Sequence, residues 1–318
     1  MVWKPVQDMP DLTGRVALVT GGNKGIGLTT VEQLANHGAK VYMGARSEGK
    51  ANEAIRQIQS ANPSLDGKAI TWIPLDLASP ASVVAAAEKV SSAASRLDIL
   101  INNAGVTAGP FAKTADGIDT NMGVNHIGHF ILVDRLLPLL IKTASQANTD
   151  VRVVTVSSMA VSQAPATTRF DTPESLYNPS GLEDNAIMSM MKRYGISKVA
   201  NTLFASELQR KMDSEGVPII SMSVHPGAVA TDGGMGLFPV FVKPLLKLVM
   251  ATTLQGATTQ LFAATAVEVG KEKAKYGGKY LVPYGKIKYP GALAANEKLA
   301  GELWESTNGL VGKLLSKA

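Results

Sequence analysis

Cysteine is absent from the 318 residues, which excludes a disulfide framework, a thiolate nucleophile and a cysteine-held metal. Histidine is scarce: there are four, none in the HExxH spacing of a helical zinc site, so metal-free chemistry is expected. Charge of one sign is not concentrated anywhere either. Lys and Arg total 31 against 26 for Asp and Glu, and the net +5 is spread along the chain without a basic block, which argues against a nucleic-acid partner. A secretory leader is missing from Met1 to Thr13, where Lys4, Asp8 and Asp11 interrupt any apolar stretch, so a cytoplasmic location is expected. Tandem repeats, low-complexity tracts and polar linkers are lacking as well, which leaves no place to divide the chain. Apolar residue is abundant, at 45% with only 18% charged, and that supplies a buried core.

Strand and helix patterns alternate along that core. Val16 to Thr20 is a short β-branched strand that runs into a glycine-rich turn, then a helical pattern with Ile26, Val31, Leu34 and Ala35 stopped by Gly38. Strands are predicted at Lys40 to Ala45, Ala69 to Leu75, Leu97 to Asn102, Val151 to Ser157 and Pro218 to His225. Helices are predicted at about Gly49 to Ala61, from Pro80 behind a Ser79 cap, from about Asp119 to Thr143, and near Ile187 to Glu215. Such alternation implies an α/β fold: one parallel sheet covered by helices on both faces, in a single domain with a core of about 12–285 and a C-terminal extension of about 286–318. Two stretches break the rhythm. Residues 162–191 are polar and punctuated by Pro165, Pro173, Pro179 and Gly181, as in a surface insertion. Residues 235–254 are apolar, but Pro239, Lys243, Pro244 and Lys247 argue against a transmembrane span. Peripheral contact with a membrane and a lid over a hydrophobic substrate both stay open there, and the lid is the expectation.

The turn Thr20-Gly21-Gly22-Asn23-Lys24-Gly25-Ile26-Gly27 lies where a strand hands over to a helix, so backbone N–H groups and the helix dipole can hold a pyrophosphate. Glycines at 21, 25 and 27 allow the tight turn, the close approach of an anion and the packing of helix on strand. The second strand ends in Ala45 and Arg46, where an NAD-binding chain would place a carboxylate for the ribose. A guanidinium there can pair with a 2′-phosphate, and Lys24 adds a second cation, so NADP(H) is the expected cofactor. Tyr194 and Lys198 are four apart in a helical pattern and so share one face, where an ammonium would stabilise a phenolate and lower the phenol's pKa.

With Asp76-Leu77, Asn102-Asn103-Ala104-Gly105, Ser157-Ser158, YGISK at 194–198 and His225-Pro226-Gly227 added in order, the chain resembles the classical short-chain dehydrogenase/reductases over roughly residues 12–285. VNHIGHF at 124–130 and LWES at 303–306 look most like the retinol-dehydrogenase-like and carbonyl-reductase-like branches. The resemblance implies a Rossmann-type doubly wound parallel sheet and a catalytic set of Ser158, Tyr194, Lys198 and Asn125. Tyr194 would exchange the proton, Ser158 would hydrogen-bond the substrate oxygen, and Lys198 would hold the nicotinamide ribose. Asn125 would interrupt a helix so that a backbone carbonyl holds a relay water. Cofactor contacts would come from Gly21, Asn23, Lys24, Gly25, Ile26, Gly27, Arg46, Asp76, Leu77, Asn103, Ala104, Gly105, Tyr194, Lys198, Pro226, Gly227, Val229 and Thr231. His126, His129 and His225 are left out of catalysis.

The expected reaction is hydride transfer between NADP(H) and a hydrophobic ketone or aldehyde, or the corresponding alcohol, in specialised or lipid-like metabolism. An NADP-binding sensor without turnover is the alternative, against which the complete Ser, Tyr and Lys set argues. The long spacing from Ser158 to Tyr194 resembles that of carbonyl-reductase-like monomers and implies a monomer or homodimer.

Overall fold

The computed structural model describes residues 3–229 and 251–316. Its centre is an eight-stranded sheet in the order β3-β2-β1-β4-β5-β6-β7-β8. The strands are β1 (Val16–Thr20), β2 (Lys40–Ala45), β3 (Ile70–Pro74), β4 (Ile99–Asn102), β5 (Val151–Val156), β6 (Ile219–Val224), β7 (Tyr280–Val282) and β8 (Lys286–Ile287). All pair in parallel except the last, which lies antiparallel on β7. In β1, β5 and β6 every residue is buried, as a strand covered on both faces requires.

In chain order among the described residues the helices are α1 (Pro5–Asp8), α2 (Gly25–Asn36), α3 (Glu48–Ala61), α4 (Pro80–Ala93), α5 (Thr120–Met122), α6 (Gly128–Ala144), α7 (Ile187–Ser214), α8 (Thr253–Thr265), α9 (Val267–Lys271), α10 (Lys273–Tyr276) and α11 (Glu297–Leu315). Packing of α2, α3 and α8 on one face buries Val31, Ile58 and Leu261 with Val19, Met43 and Ile101 of the sheet. Packing of α4, α6, α7 and α11 on the other buries Val83, Phe130, Leu203 and Leu303 with Leu18 and Leu100. Strand order reverses between β1 and β4, so the carboxyl ends of these two strands open the crevice where doubly wound sheets bind ligands.

Several boundaries differ from the predicted ones. β4 begins at Ile99, and just before it Leu97 donates its amide to the Thr143 hydroxyl while the Asp98 carboxylate receives Arg15, Arg96 and the Val16 amide. The predicted long helix from Asp119 is interrupted, with a π-turn at Gly123–Ile127 between α5 and α6. Gly123 fits there because a Cβ would lie 2.8 Å from Thr114 Cγ2. By length and composition alone Thr120–Ala144 could cross a membrane, yet Phe130, Ile131, Leu132, Leu136 and Leu140 are buried in the core.

The insertion at 162–191 is irregular, with short 3₁₀ turns at Met159–Gln163 and Glu174–Leu176. It is more than surface, since Phe170 and Leu176 are fully buried. Beyond β8, α11 inserts Leu299, Leu303, Leu310 and Leu314 into the core, and Trp304 stacks on Phe204 of α7 with ring centroids 5.7 Å apart. Most of the apolar stretch expected as a lid, residues 230–250 of it and its approach, lies outside the described residues, as does Thr231.

Candidate active site

At the carboxyl end of β1 the chain turns through Gly21 and Gly25, both at positive φ (65° and 56°), where a side chain would be strained. Lys24 occupies the N-cap of α2 without a side-chain cap, which leaves the first-turn amides free to meet an anion. A Cβ on Gly27 would lie 2.3 Å from the Gly21 carbonyl oxygen and 2.5 Å from Asn103 Nδ2, so only glycine lets helix and turn meet. The loop after β4 braces this turn. Thr20 Oγ1 accepts the Asn103 and Ala104 amides, each at 2.9 Å, and Asn103 Nδ2 donates to the Thr20 carbonyl at 2.8 Å. Thus Asn103, predicted as a cofactor contact, uses its side chain to hold the turn. Gly105 lets the loop come close to Asn125 and Lys198, since a Cβ there would stand 3.0 Å from Asn125 Oδ1 and 3.5 Å from Lys198 Nζ.

The other predicted cofactor residues ring the same crevice. Arg46 is exposed just past the buried end of β2, and Lys24 is exposed on the turn, with Asn23 and Ile26 half-buried beside it. Asp76 accepts the Ala78 amide at 3.0 Å through Oδ1, and buried Leu77 abuts Gly128, where a Cβ would lie 2.4 Å from the Leu77 carbonyl. After β6, Gly227 takes φ 90° behind Pro226. The Val229 side chain is buried where Gly256 of α8 and Ile26 converge. An uncapped helix N-terminus and a turn that only glycine can make together fit a dinucleotide.

Ser158 follows β5 and caps the 3₁₀ turn, its Oγ accepting the Ala160 amide at 3.1 Å. Ser158 lies close enough to the Tyr194 phenol to act on its titration as a polar neighbour. Lys198, one helical turn on, is buried; its Nζ stands 5.7 Å from the centre of the Tyr194 ring and donates to the Val156 carbonyl at 2.9 Å. Burial pushes this amine down to about 7. It also pushes the Tyr194 phenol up, with Ser158 acting against it. The expectation that Lys198 lowers the phenol is therefore not met in the free chain, because the ammonium faces the ring and a carbonyl and has itself lost solvation. Asn125 sits within the π-turn, as expected: its Oδ1 accepts the Val106 amide at 2.8 Å, while Nδ2 donates to the Val106 carbonyl and to Ser197 Oγ.

A family model described as short chain dehydrogenase matches residues 15–169. A short chain dehydrogenase/reductase of Colletotrichum higginsianum, dpchH, is 48% identical over 302 residues, covering 94% of this chain and 75% of its own. Its Gibberella zeae counterpart, dpfgH, is 42% identical over 306 residues, covering 95% and 84%. This chain belongs to the short-chain dehydrogenase/reductases. Among solved structures similar to it are a Mycobacterium paratuberculosis protein, at 29% identity and TM-score 0.72 over 98% of both chains, and Pseudomonas aeruginosa RhlG with NADP, at 25% identity and TM-score 0.64 over 86% of this chain and 96% of that one.

Within this short-chain dehydrogenase/reductase, three contributors escaped the sequence reading. Gly195 brings α7 against the loop of Ser158, since a Cβ would lie 2.6 Å from the Ala160 carbonyl; the glycine beside the tyrosine in YGISK was its signal. Ser197 accepts from Asn125 at 2.9 Å and donates to the Tyr194 carbonyl at 2.8 Å, tying the π-turn to the tyrosine. Arg193, 3% exposed, donates to the carbonyls of Leu182 and Asp184 in the insertion and of Gly109 after β4, so it clamps both loops beside Tyr194. A charged residue next to the tyrosine was visible in the sequence, but its partners were not. His126 and His129 are buried and held neutral, pushed by burial to about 3 and about 4.

Proposed function

We propose that this oxidoreductase transfers hydride between NADP(H) and a hydrophobic ketone or aldehyde, or the corresponding alcohol, in specialised or lipid-like metabolism. The observation that carries the reading is the meeting of three groups: the Lys198 ammonium 5.7 Å from the centre of the Tyr194 ring, with Ser158 beside the phenol. The bound nicotinamide supplies the hydride in reduction and accepts it in oxidation. In reduction Tyr194 gives its phenolic proton to the substrate oxygen, while Ser158 donates a hydrogen bond to the same oxygen as negative charge develops. Lys198, released from the Val156 carbonyl, holds the ribose hydroxyls and as an ammonium stabilises the phenolate left behind. The Asn125 carbonyl in the π-turn orients the water that restores the proton. Oxidation uses the same groups in reverse.

Exposed Arg46 past β2 and exposed Lys24 on the glycine turn support selection of the 2′-phosphate, and NADP in the RhlG neighbour is in keeping with it. Exposed Met159 next to Ser158, and Ile187 two helical turns before Tyr194 on the same face, offer an apolar rim to the substrate. The cover that α11 lays over α7 supports a monomer or homodimer.

The test is loss of reduced-nicotinamide absorbance with purified protein, NADPH or NADH, and a panel of hydrophobic ketones and aldehydes. Consumption of NADPH well above that of NADH is the expected result. Tight NADPH binding without consumption of either cofactor would return the sensor reading. Arg46→Ala should raise the KM for NADPH by about tenfold or more and leave that for NADH nearly unchanged, the loss of one charge-assisted contact. Equal changes for both cofactors would remove the phosphate argument.

A further inference from the structure

His129 lies in α6, away from the substrate mouth, and both of its ring nitrogens are engaged. Nδ1 is 3.0 Å from the Asn125 carbonyl oxygen, and Nε2 is 2.8 Å from Thr20 Oγ1. A carbonyl can only accept, so Nδ1 carries the hydrogen. Nε2 is then a lone pair, and Thr20 must donate to it. That donation turns the remaining lone pairs of the Thr20 oxygen toward the Asn103 and Ala104 amides, each 2.9 Å away. Donor and acceptor are thereby assigned at every link from the π-turn, through the imidazole and Thr20, to the loop that braces the glycine turn. A doubly protonated ring would present a donor to the Thr20 hydroxyl and reverse that link; burial, which pushes His129 to about 4, keeps it from forming near neutrality. A histidine that only filled space would need neither bond, and leucine would suit this apolar helix better.

We infer that His129 is a positioning residue that couples the Asn125 carbonyl to Thr20, and so holds the proton-relay turn and the cofactor turn in one geometry. The two ends do different work. The Nδ1 hydrogen fixes the direction of the Asn125 carbonyl in the π-turn, and the Nε2 lone pair fixes the hydroxyl that seats the β4 loop against Gly21. The relay half of this inference rests on the reductase reading above; the cofactor half requires only that the turn bind a dinucleotide.

Two conservative substitutions separate the ends. Gln places its amide oxygen near the position of Nε2 and cannot reach the Asn125 carbonyl, whereas Asn places its amide nitrogen near Nδ1 and cannot reach Thr20. NADPH affinity, read from the fluorescence of the reduced nicotinamide, and kcat are measured for the full-length protein below the melting temperature of every variant. His129→Asn should weaken NADPH binding by about tenfold, with the smaller loss in kcat. His129→Gln should lower kcat by about tenfold, with the smaller loss in NADPH affinity. Thr20→Val should repeat the His129→Asn pattern and Thr20→Ser should restore it, which reads the same link if a histidine variant fails to fold. Parallel losses in both quantities, or lowered melting temperatures with both unchanged, would reduce His129 to a packing residue. If the wild type binds NADPH but turns over no carbonyl compound, the reductase reading fails by itself. The affinity arm then decides: weakening in His129→Asn and not in His129→Gln upholds the coupling to Thr20, and equal affinities overturn it.

Discussion

From Thr20 to Gly105 the cleft is shaped by side chains that are missing, whereas from Ser158 to Tyr194 it is shaped by side chains that reach. On the first side Gly21, Gly27 and Gly105 let the chain come close, and backbone amides line the cleft. On the second, Arg193 grips three carbonyls, Asn185 Oδ1 accepts the Phe111 amide at 2.7 Å, and Lys113 pairs with Glu183 at 2.9 Å. A backbone-lined surface reads a group common to every turnover, and its shape is set by steric prohibition. A surface stapled by side chains can be reshaped one residue at a time, which suits the side that must choose among substrates.

The comparison breaks most sharply at Tyr194, where the two sides meet. Tyr194→Phe keeps the ring against Lys198 and removes the exchangeable proton, so turnover should fall by about 10²–10⁴ with NADPH binding retained; single-turnover and binding measurements check this. Unchanged turnover would remove the tyrosine from the chemistry. Gly27→Ala tests steric prohibition on the cofactor side. Because its Cβ meets backbone, the turn must open, and NADPH affinity measured by titration should drop by well over about tenfold with a lowered melting temperature. Arg193→Ala tests the stapled side: the substrate KM should rise by about tenfold, NADPH affinity should hold, and residues 162–186 should become open to limited proteolysis. If the NADPH constant moved as far as the KM, the division into two sides would be wrong.

The smallest expected effect concerns acid stability. His126 and His129 stay neutral in the fold, pushed down by burial, while in the unfolded chain they bind protons near the usual 6.5. The unfolded state therefore holds more protons across this window, and stability is lost as pH falls from about 6.5 toward about 4, at up to about 1.4 kcal/mol per pH unit for each ring. His126→Phe should flatten that acid limb in a series of melting temperatures, at the cost of its 2.9 Å bond to Thr307. A limb of unchanged slope would place the acid sensitivity elsewhere.

The same division explains what could be read from the residues alone. The glycine turn, the pairing of Tyr194 with Lys198 at one helical turn, and Ser158 at a strand end are all local: each is specified by spacings of a few residues, and the structure brings them together. The strand and helix alternation was legible for the same reason, because burial on both faces writes an unbroken apolar run. The grip of Arg193 on Gly109 spans 84 residues and the contact of His129 with Thr20 spans 109, and no local pattern encodes such pairs. Lys198 shows a further limit. Its spacing from Tyr194 was right, but the effect of one on the other depends on solvation, which only the folded surroundings determine.

The glycine turn and the Ser, Tyr and Lys set all lie well before α11, yet Trp304 of that helix closes the aromatic cluster of Phe130 and Phe204, and Thr307 holds His126 beside Asn125. During translation α11 is made after the rest, and at about 5–20 residues per second its 19 residues take about one to four seconds to add. For that interval a nascent chain carries the glycine turn and the Ser, Tyr and Lys set beside an unsealed apolar seam. The cleft's relay turn is thus sealed by a helix that lies far from it in the chain, and chains cut short before Thr307 should lose the bond that holds His126 and melt at a lower temperature.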